Sequence, residues 1–128
     1  MTEKDINLSV NVAGVQLKNP VMTASGTFGS GMEYCEYVDL NRLGAVVTKG
    51  VANVPWPGNP TPRIAETYGG MINAVGLQNP GLDTFIKRDI PFLKKYDTKI
   101  IVNVWKKQRG LCRCCGKVSR PAGRYVRD

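Results

Sequence analysis

The segment from Met71 to Gly81, MINAVGLQNPG, concentrates three side-chain amides within seven residues. Each amide carries a carbonyl acceptor and an NH2 donor in one plane, so Asn73, Gln78 and Asn79 suit recognition of a flat heterocycle with alternating C=O and N–H groups. The glycines of the segment permit close backbone approach or positive φ, which favours a backbone wrapped around a ligand. The alternative is an ordinary turn, because Asn-Pro and Pro-Gly dipeptides commonly mark turns.

A second group of polar residues follows three short apolar runs of the chain. Ser25 comes directly after one run, Lys49 and Gly50 close the run GAVVT, and Asn103 lies near the end of IIVNV. In α/β folds the chemistry gathers at strand ends, and a lysine there suits a phosphate, a carboxylate or a reduced, anionic flavin ring. Taken singly, Lys49 is more commonly a lysine extending from a strand end into solvent, and Ser25 a turn or helix cap.

The apolar runs themselves have the pattern of strands. The segments Ile6–Val10 and Val15–Leu17 alternate apolar and polar residues around Ala13-Gly14, which predicts a small amino-terminal β-hairpin. The runs Val21–Ala24, Gly44–Thr48 and Ile100–Val104 are almost continuously apolar. Continuous apolar strands are typical of parallel sheets that are covered on both faces.

The segments between these strands complete the pattern. We expect helices at Gly31–Asn41 and Leu82–Tyr96, with a break or a new helical turn at Pro91. The four prolines of Pro55–Pro62 predict a loop. Strands that alternate with helices indicate parallel βα units, and therefore an α/β layer or barrel.

Composition places the chain in the ordinary globular range. Its 128 residues are 42% hydrophobic and 22% charged, which is typical of one domain with a sizeable core. The opening MTEKDINLSVNV is polar where a signal peptide needs an apolar run, and no stretch approaches the length of a membrane span. We therefore expect cytoplasmic residence without a membrane partner.

The net charge of +8 is unevenly distributed along the chain. Residues 1–104 contain ten basic and nine acidic side chains, a net charge of +1. Residues 105–128 contain eight basic side chains and one acidic, a net charge of +7, and three of the four cysteines. The composition changes near Trp105, which marks a boundary between a body and a basic tail.

Four separated motifs of the body agree in order and spacing with a known family. They are ASGTFG (Ala24–Gly29), TKG (Thr48–Gly50), GNPTPR (Gly58–Arg63) and NAVGLQNPG (Asn73–Gly81). Together they resemble the amino-terminal part of dihydroorotate dehydrogenases, flavin enzymes built on a (β/α)8 TIM barrel. The form of the last motif is most similar to the class 1B catalytic subunit. The resemblance covers Ile6 to Val104 and implies the amino-terminal portion of such a barrel, preceded by the β-hairpin.

Family roles transfer to matching positions of this chain. The resemblance implies FMN contacts at four strand-end residues: Ser25, Lys49, Gly50 and Asn103. It implies that Lys49 also meets the substrate, together with the orotate loop residues Asn73, Ala74, Val75, Gly76 and Leu77. The residues agree with this reading, because a lysine stabilises negative charge on a reduced ring and amides complement a pyrimidine's edges.

The resemblance also implies a reaction and partners. Such enzymes serve de novo pyrimidine (UMP) biosynthesis, oxidise dihydroorotate to orotate with FMN and, in class 1B, pass electrons to NAD. They do so through an electron-transfer subunit that carries FAD and a 2Fe-2S iron–sulfur cluster, and a homodimer is expected for an intact member. The family's cysteine base lies in an NISCPN-type motif, which is absent from these 128 residues. We therefore expect this chain to be a truncated, inactive copy with no catalytic residue of its own.

The basic tail departs from the family pattern after IIVNV. Its sequence, WKKQRGLCRCCGKVSRPAGRYVRD, has no helical apolar face. A back-translation with permitted codons, read one base later, gives GKNNEDYVAVVERLADQPVDMLE, which has an amphipathic helix followed by the start of a strand, as a βα unit requires. We therefore divide the chain into a partial FMN-binding barrel, residues 1–104, and an out-of-frame, disordered tail, residues 105–128.

A rival reading of the tail is a weak site for metal or polyanions. Cys112, Cys114 and Cys115 are too crowded for usual zinc-ligand spacing, and the chain contains no histidine, so we expect no metal site. Basic residues at this density bind polyanions without specificity, so we expect no specific nucleic-acid partner. The corresponding alternative function is a non-catalytic barrel fragment with a weakly binding basic tail.

Overall fold

The computed structural model describes residues 6–104 of the chain. Six short strands are present in this range: β1 Val10–Val12, β2 Val15–Leu17, β3 Ala45–Val47, β4 Ile64–Thr67, β5 Gly70–Asn73 and β6 Lys99–Ile101. The helical segments are α1 Ser25–Phe28, a 3₁₀ turn Leu40–Arg42, α2 Leu82–Thr84, a π-helical segment Phe85–Asp89 and α3 Ile90–Leu93. The predictions for the basic tail, residues 105–128, lie outside the described residues.

The predicted amino-terminal hairpin is confirmed, with a later start. Strands β1 and β2 are antiparallel and pair Val10 with Leu17 and Val12 with Val15. The two turn residues both have positive φ, 48° at Ala13 and 82° at Gly14, which matches the right-handed twist of a two-residue hairpin. Pairing begins at Val10 because the residues before it have no partner strand, and Ile6 is 62% exposed.

The three continuous apolar runs form one parallel layer, as predicted. Strands β3 and β6 are parallel, with Ala45 opposite Lys99 and Val47 opposite Ile101. On the other side of β3, Met22 forms a parallel bridge with Ala45. The spatial order is therefore the run around Met22, then β3, then β6. Residues 6–104 form an α/β arrangement and include no closed barrel.

The layer is covered by two groups of buried apolar side chains, both of which include helical residues from Leu82–Leu93. The first group consists of Val51, Leu82, Phe85 and Val102. The second group consists of Leu40, Leu43, Val46 and Leu93. Ile100 packs against both groups, so the helical segment and the strands share one continuous apolar contact region.

The predicted regular helix at Gly31–Asn41 is wrong. This stretch consists of separate turns followed by the 3₁₀ turn Leu40–Arg42, in which the Asp39 side chain accepts a hydrogen bond from the Asn41 amide. Gly31 has a φ of 80°, which no right-handed helix contains. Tyr37, in the middle of this stretch, is 82% exposed.

The predicted helix at Leu82–Tyr96 is confirmed, with its last turn ending at Leu93. Its middle widens into the π-helical segment Phe85–Asp89, and Pro91 occupies the first turn of α3. A proline cannot donate to the carbonyl four residues earlier, so the usual ladder cannot run through this position. The π-helical segment ends just before Pro91, and α3, which contains Pro91, is the new helical turn that the sequence predicted.

The apolar pattern of the sequence does not predict the hairpin formed by β4 and β5. These strands pair Ile64 with Asn73 and Thr67 with Gly70, and every residue in them is exposed. A hairpin with two exposed faces has no need of apolar-polar alternation, so the sequence lacks the usual strand signal. The predicted Pro55–Pro62 loop is confirmed, and within it only Trp56 forms a bridge, with Asn79.

Candidate functional site

The strand-end residues predicted to bind one ligand come together in the fold. The Asn103 side-chain amide donates a hydrogen bond of 3.4 Å to the Ser25 hydroxyl. Gly50 lies beside them, because a Cβ added to it would stand 3.8 Å from Asn103 Nδ2 and 3.8 Å from Leu77 Cδ1. Three strand ends and the amide-rich loop therefore meet around Gly50.

Backbone hydrogen bonds hold the strand ends in register. The Thr48 amide donates to Ile101 O at 2.9 Å, and the Val51 amide donates to Asn103 O at 2.8 Å. These bonds extend the β3–β6 pairing past the formal end of each strand. They fix the backbone of Lys49 and Gly50 beside Asn103, as parallel pairing at a common carboxyl end requires.

Lys49 is half-buried at this edge. Its backbone amide donates to Gly29 O at 3.1 Å. Within residues 6–104 its ammonium forms no hydrogen bond and no ion pair. A half-buried ammonium with three donors suits an anionic group brought by a ligand.

The amide-rich loop is held by Asn59, which the sequence analysis did not single out. Asn59 Nδ2 donates to Ala74 O at 2.9 Å, and the Asn59 amide donates to Val75 O at 2.9 Å. Gly76 takes a φ of 76°, and a Cβ there would stand 2.7 Å from Asn59 Cγ. Gly58 is equally constrained, since its Cβ would meet Val75 O at 2.4 Å. The two loops therefore fit together only with glycine at both positions.

Arg63 fastens the same two loops through its guanidinium group. Its Nε donates to Asn59 O at 2.6 Å, and its two terminal nitrogens donate to Pro57 O at 2.9 Å and to Gln78 Oε1 at 2.8 Å. The Ala74 amide also donates to the Arg63 carbonyl at 2.8 Å. Arg63 belongs to the GNPTPR motif, which is recognisable in the sequence. The hydrogen bonds by which Arg63 joins the two loops were not predicted.

Two of the three amide side chains in the loop form hydrogen bonds within the protein. Gln78 receives the Arg63 hydrogen bond, and Asn79 is buried. Asn79 Oδ1 accepts from the amides of Ala52 at 3.2 Å and Gly81 at 3.0 Å, while its Nδ2 donates to the Leu77 carbonyl at 3.3 Å. A buried amide with these bonds has little capacity left for a ligand. The expectation that all three amides face a heterocycle is therefore wrong for Asn79.

Asn73 is the amide of the three that stays open. It is exposed at the end of β5, and its side chain forms no hydrogen bond within the described range of the chain. Leu77, at the other end of the loop, has a φ of 56° and reaches Gly50. The structure thus joins Leu77 to the strand-end residues, while Ala74 and Val75 contact Asn59.

Another contact outside the predicted site involves a buried carboxylate. Asp89 accepts a hydrogen bond of 2.6 Å from the Ser30 hydroxyl and one of 2.6 Å from Arg88 Nε. The hydrogen bond to Asp89 raises the pKa of Arg88 above its ordinary value. Sequence patterns give no signal for this contact, since Ser30 and Asp89 are 59 residues apart.

No group of three or more histidine, cysteine, aspartate or glutamate side chains between residues 6 and 104 is arranged to hold a metal ion. None of the helices in this range combines the length and apolar character that crossing a bilayer requires.

Parallel strands whose carboxyl ends present a lysine, a serine and an amide define an α/β protein with a candidate ligand site at the strand ends. The family model described as "Dihydroorotate dehydrogenase" matches residues 7–126. The chain belongs to the dihydroorotate dehydrogenase family.

Named relatives agree with this membership. The chain is 78% identical over 99 residues to the "Dihydroorotate dehydrogenase B (NAD(+)), catalytic subunit" of Alkaliphilus metalliredigens, covering 77% of this chain and 33% of that protein. It is 74% identical over 99 residues to the protein of the same name from Lachnoclostridium phytofermentans, with the same two coverages. The chain thus spans about a third of the length of the curated relatives it matches.

Solved structures show the same relationship at lower identity. A ligand-free DHODH from Eimeria tenella matches with a TM-score of 0.57 and 25% identity, covering 84% of this chain and 33% of that chain. The DHODH of that organism in complex with ferulenol matches with a TM-score of 0.53 and 26% identity, covering 87% and 32%. The family and these neighbours imply a TIM-barrel fold, and residues 6–104 form a partial α/β fragment without a closed barrel.

Proposed function

We propose that this chain derives from an FMN-dependent dihydroorotate dehydrogenase that oxidises dihydroorotate to orotate in de novo pyrimidine biosynthesis and passes electrons to NAD. The observation that carries the proposal is the meeting of Ser25, Asn103, Gly50 and Leu77 at one strand-end edge. Four residues that the family resemblance assigns to cofactor or substrate are far apart in sequence and adjacent in space. Relatives up to 78% identical bear the name of this activity.

The residues at this edge fit a flavin mononucleotide. Ser25 and Asn103 supply a hydroxyl and an amide that can donate and accept at polar groups of the cofactor. Gly50 has no side chain, so a planar ring system can approach its backbone closely. Bound FMN would supply the acceptor for the hydride that leaves dihydroorotate. We therefore assign FMN contacts to these residues and to Lys49.

The orotate side of the proposed site consists of Lys49 and the loop from Asn73 to Leu77. The Lys49 ammonium has no anionic partner among residues 6–104, and orotate carries a carboxylate. The open amide of Asn73 is suited to hydrogen bonding with the pyrimidine's C=O and N–H groups. Arg63 and Asn59 hold this loop in a fixed shape before any ligand arrives, which reduces the entropic cost of binding.

We further propose that residues 6–104 are the amino-terminal portion of a (β/α)8 barrel. In support, strands β3 and β6 and the run that bridges β3 at Met22 are parallel neighbours, and the polar residues lie at their carboxyl ends, where barrel enzymes place their active sites. We place the protein in the cytoplasm. The names of the relatives include "catalytic subunit", which supports an electron-transfer partner; that partner would carry FAD and a 2Fe-2S cluster, and the intact protein would form a homodimer.

The basic tail is proposed to be read out of frame. The two curated relatives named above match over 99 residues, and the family model extends to residue 126. In support of the shifted frame, a back-translation of residues 105–128 with permitted codons, read one base later, gives an amphipathic helix and a strand start. The DNA sequence decides the point. We expect the other frame to continue downstream into an NISCPN-type segment, and its absence there would reject the frameshift.

Purified protein tests the proposed site directly. We expect added FMN to bind, orotate to perturb the absorbance of bound FMN, and dihydroorotate to remain unoxidised, because the motif with the family's cysteine base is absent. Lys49→Gln should abolish the orotate-induced change, whereas Lys94→Gln, which changes an exposed lysine just after α3, should leave it intact. Failure of the wild-type chain to bind FMN at all would overturn the assignment.

The same preparation tests the alternative, a non-catalytic fragment whose basic tail binds polyanions. A chain cut after Val104 should keep the FMN signal and lose salt-dependent binding to DNA. If neither the cut chain nor the full chain binds FMN and only the full chain binds DNA, the protein is the non-catalytic, polyanion-binding fragment.

A further inference from the structure

A buried carboxylate in the helical segment is hydrogen-bonded to the loop that follows α1. Asp89 is 1% exposed, and its Oδ2 accepts a 2.6 Å hydrogen bond from the Ser30 hydroxyl. Its Oδ1 accepts a 2.6 Å bond from Arg88 Nε, whose side chain is 56% exposed. Burying a carboxylate is unfavourable unless it is hydrogen-bonded, so these two bonds hold Asp89 and its partners in place.

Ser30 lies between two glycines, both of which have positive φ. Gly29 has a φ of 59° and Gly31 a φ of 80°, and glycine loses more conformational entropy on ordering than other residues. The residue before Ser30 is Gly29, and its carbonyl oxygen accepts a 3.1 Å hydrogen bond from the Lys49 backbone amide. Besides the Thr48 and Val51 hydrogen bonds to β6 and Asn103, the Lys49 amide is therefore held by a glycine-rich segment that Asp89 anchors through Ser30.

We propose that Asp89, acting through Ser30, is a positioning residue for the strand-end lysine Lys49. The path runs from the Asp89 carboxylate to the Ser30 hydroxyl, along one peptide to Gly29 O, and from there to the Lys49 amide. Its functional meaning rests on the proposed function, in which Lys49 contacts both FMN and orotate. Asp89 has no direct contact with Lys49, so it acts on the site only by holding this segment.

Amide hydrogen exchange of the 128-residue chain, measured by NMR, tests the path without any ligand. Ser30→Ala removes the donor to Asp89, and we expect the Lys49 amide to exchange about five- to tenfold faster. The Val51 amide, which donates to Asn103 O, is the internal reference and should change less than about twofold. Ser30→Thr keeps the hydroxyl and should restore slow exchange at Lys49.

Asp89→Asn gives a second, independent variant. It retains the side-chain size while it removes the charge that strengthens both bonds, so Lys49 exchange should again accelerate selectively. Glu36→Gln, at an exposed carboxylate, is the matched control and should leave Lys49 unchanged. Equal acceleration at Lys49 and Val51 would show a merely structural role, and no acceleration at Lys49 would show no coupling; either result overturns the proposal.

An FMN titration of the same variants separates this proposal from the proposed function. We expect Ser30→Ala and Asp89→Asn to weaken FMN binding about three- to tenfold, and Ser30→Thr to restore it. If the wild-type chain binds no FMN, the proposed function fails, while Lys49 exchange still decides whether Asp89 positions the lysine. If FMN binds equally to all variants although exchange accelerates, the functional part of the positioning role is rejected.

Discussion

Asn103 and Ser25 are 78 residues apart in sequence, and the Asn103 side-chain amide donates to the Ser25 hydroxyl at 3.4 Å. Asn103 follows β6, and Ser25 begins α1 just after the run that bridges β3 through Met22. The hydrogen bond therefore spans the carboxyl edge of the parallel layer, above β3. It joins two predicted cofactor contacts across the strand whose end carries Lys49 and Gly50.

Ser25→Ala and Asn103→Ala should each weaken FMN binding. A hydrogen bond contributes about 0.5–1.5 kcal/mol, so each change should raise the dissociation constant about two- to tenfold. Because the two side chains touch, the double variant should lose less than the sum of the single losses. Flavin fluorescence titration measures all four proteins, and strictly additive losses would show that the two groups contact the cofactor independently.

Arg63→Gln should loosen the amide-rich loop and weaken orotate binding to the FMN-loaded chain. It removes three donors that bind Asn59 O, Pro57 O and Gln78 Oε1. Arg42→Gln changes the same charge at an exposed site and is the control. Orotate-induced absorbance changes should show a loss of about tenfold or more for Arg63→Gln alone. A loss of equal size in both variants would point to net charge instead.

Gly76→Ala should destabilise the fold by about 1–3 kcal/mol. Alanine there would need a φ of 76° and a Cβ only 2.7 Å from Asn59 Cγ. Gly70→Ala is the matched control, because its φ is not positive and its Cβ would meet only Thr67 Oγ1, at 3.6 Å. Urea unfolding followed by circular dichroism compares them. Equal midpoints for the two variants would mean that the loop adapts without strain.

Lys18→Met should lower the free energy of unfolding by about 1–2 kcal/mol. Lys18 Nζ donates to the carbonyls of Asn41 and Asp97 and forms a 3.1 Å ion pair with Asp97 Oδ2. It thereby fastens the segment after β2 to the loop before β6. Because two partners are carbonyls, most of the loss should persist at high salt. Lys87→Met, at an exposed lysine, should have little effect in the same urea titrations.

The free energy of unfolding should fall at alkaline pH as a result of the raised pKa of Tyr96. Burial raises the pKa of Tyr96 above its ordinary value of 10.0, and Cys35 and Asp39 raise it further. The unfolded state therefore loses its tyrosine proton first, so this stability is complete below about pH 10 and falls as pH rises through the folded-state pKa. Tyr96→Phe should flatten that part of the decline in unfolding free energy, and the exposed Tyr37→Phe should retain it.

The elements with a strong apolar pattern were predictable from the sequence. The runs around Val46, Ile100 and Met22 are buried in a parallel layer, and continuous apolar residues are the direct signature of that burial. The amino-terminal hairpin was predictable because Ala13-Gly14 permits the positive φ values of its turn. Local chemistry sufficed in these cases.

The elements that the sequence misrepresented depend on tertiary contacts or on exposure. The stretch from Gly31 to Asn41 has residues at helical spacing, yet Tyr34 stacks on Phe28 at a centroid distance of 4.9 Å instead of following a regular helix. The β4–β5 hairpin buries neither face, so nothing in its pattern marks it as two strands. The spacing of apolar side chains reflects which residues are buried. It does not predict the structure of segments that are exposed or that depend on tertiary contacts.

By itself, the sequence determined the strand-end positions of Ser25, Lys49, Gly50 and Asn103, because the apolar runs and their limits are local properties of the chain. It also determined the motifs that place the chain in its family. Only the tertiary structure decided which side-chain amides can hydrogen-bond to a ligand. Asn79 forms three hydrogen bonds within the protein, whereas the Asn73 side chain forms none within residues 6–104. Only the structure placed Asp89 behind Ser30. The physical reason is that a polar side chain's role depends on which partners the fold brings within about 3 Å of it.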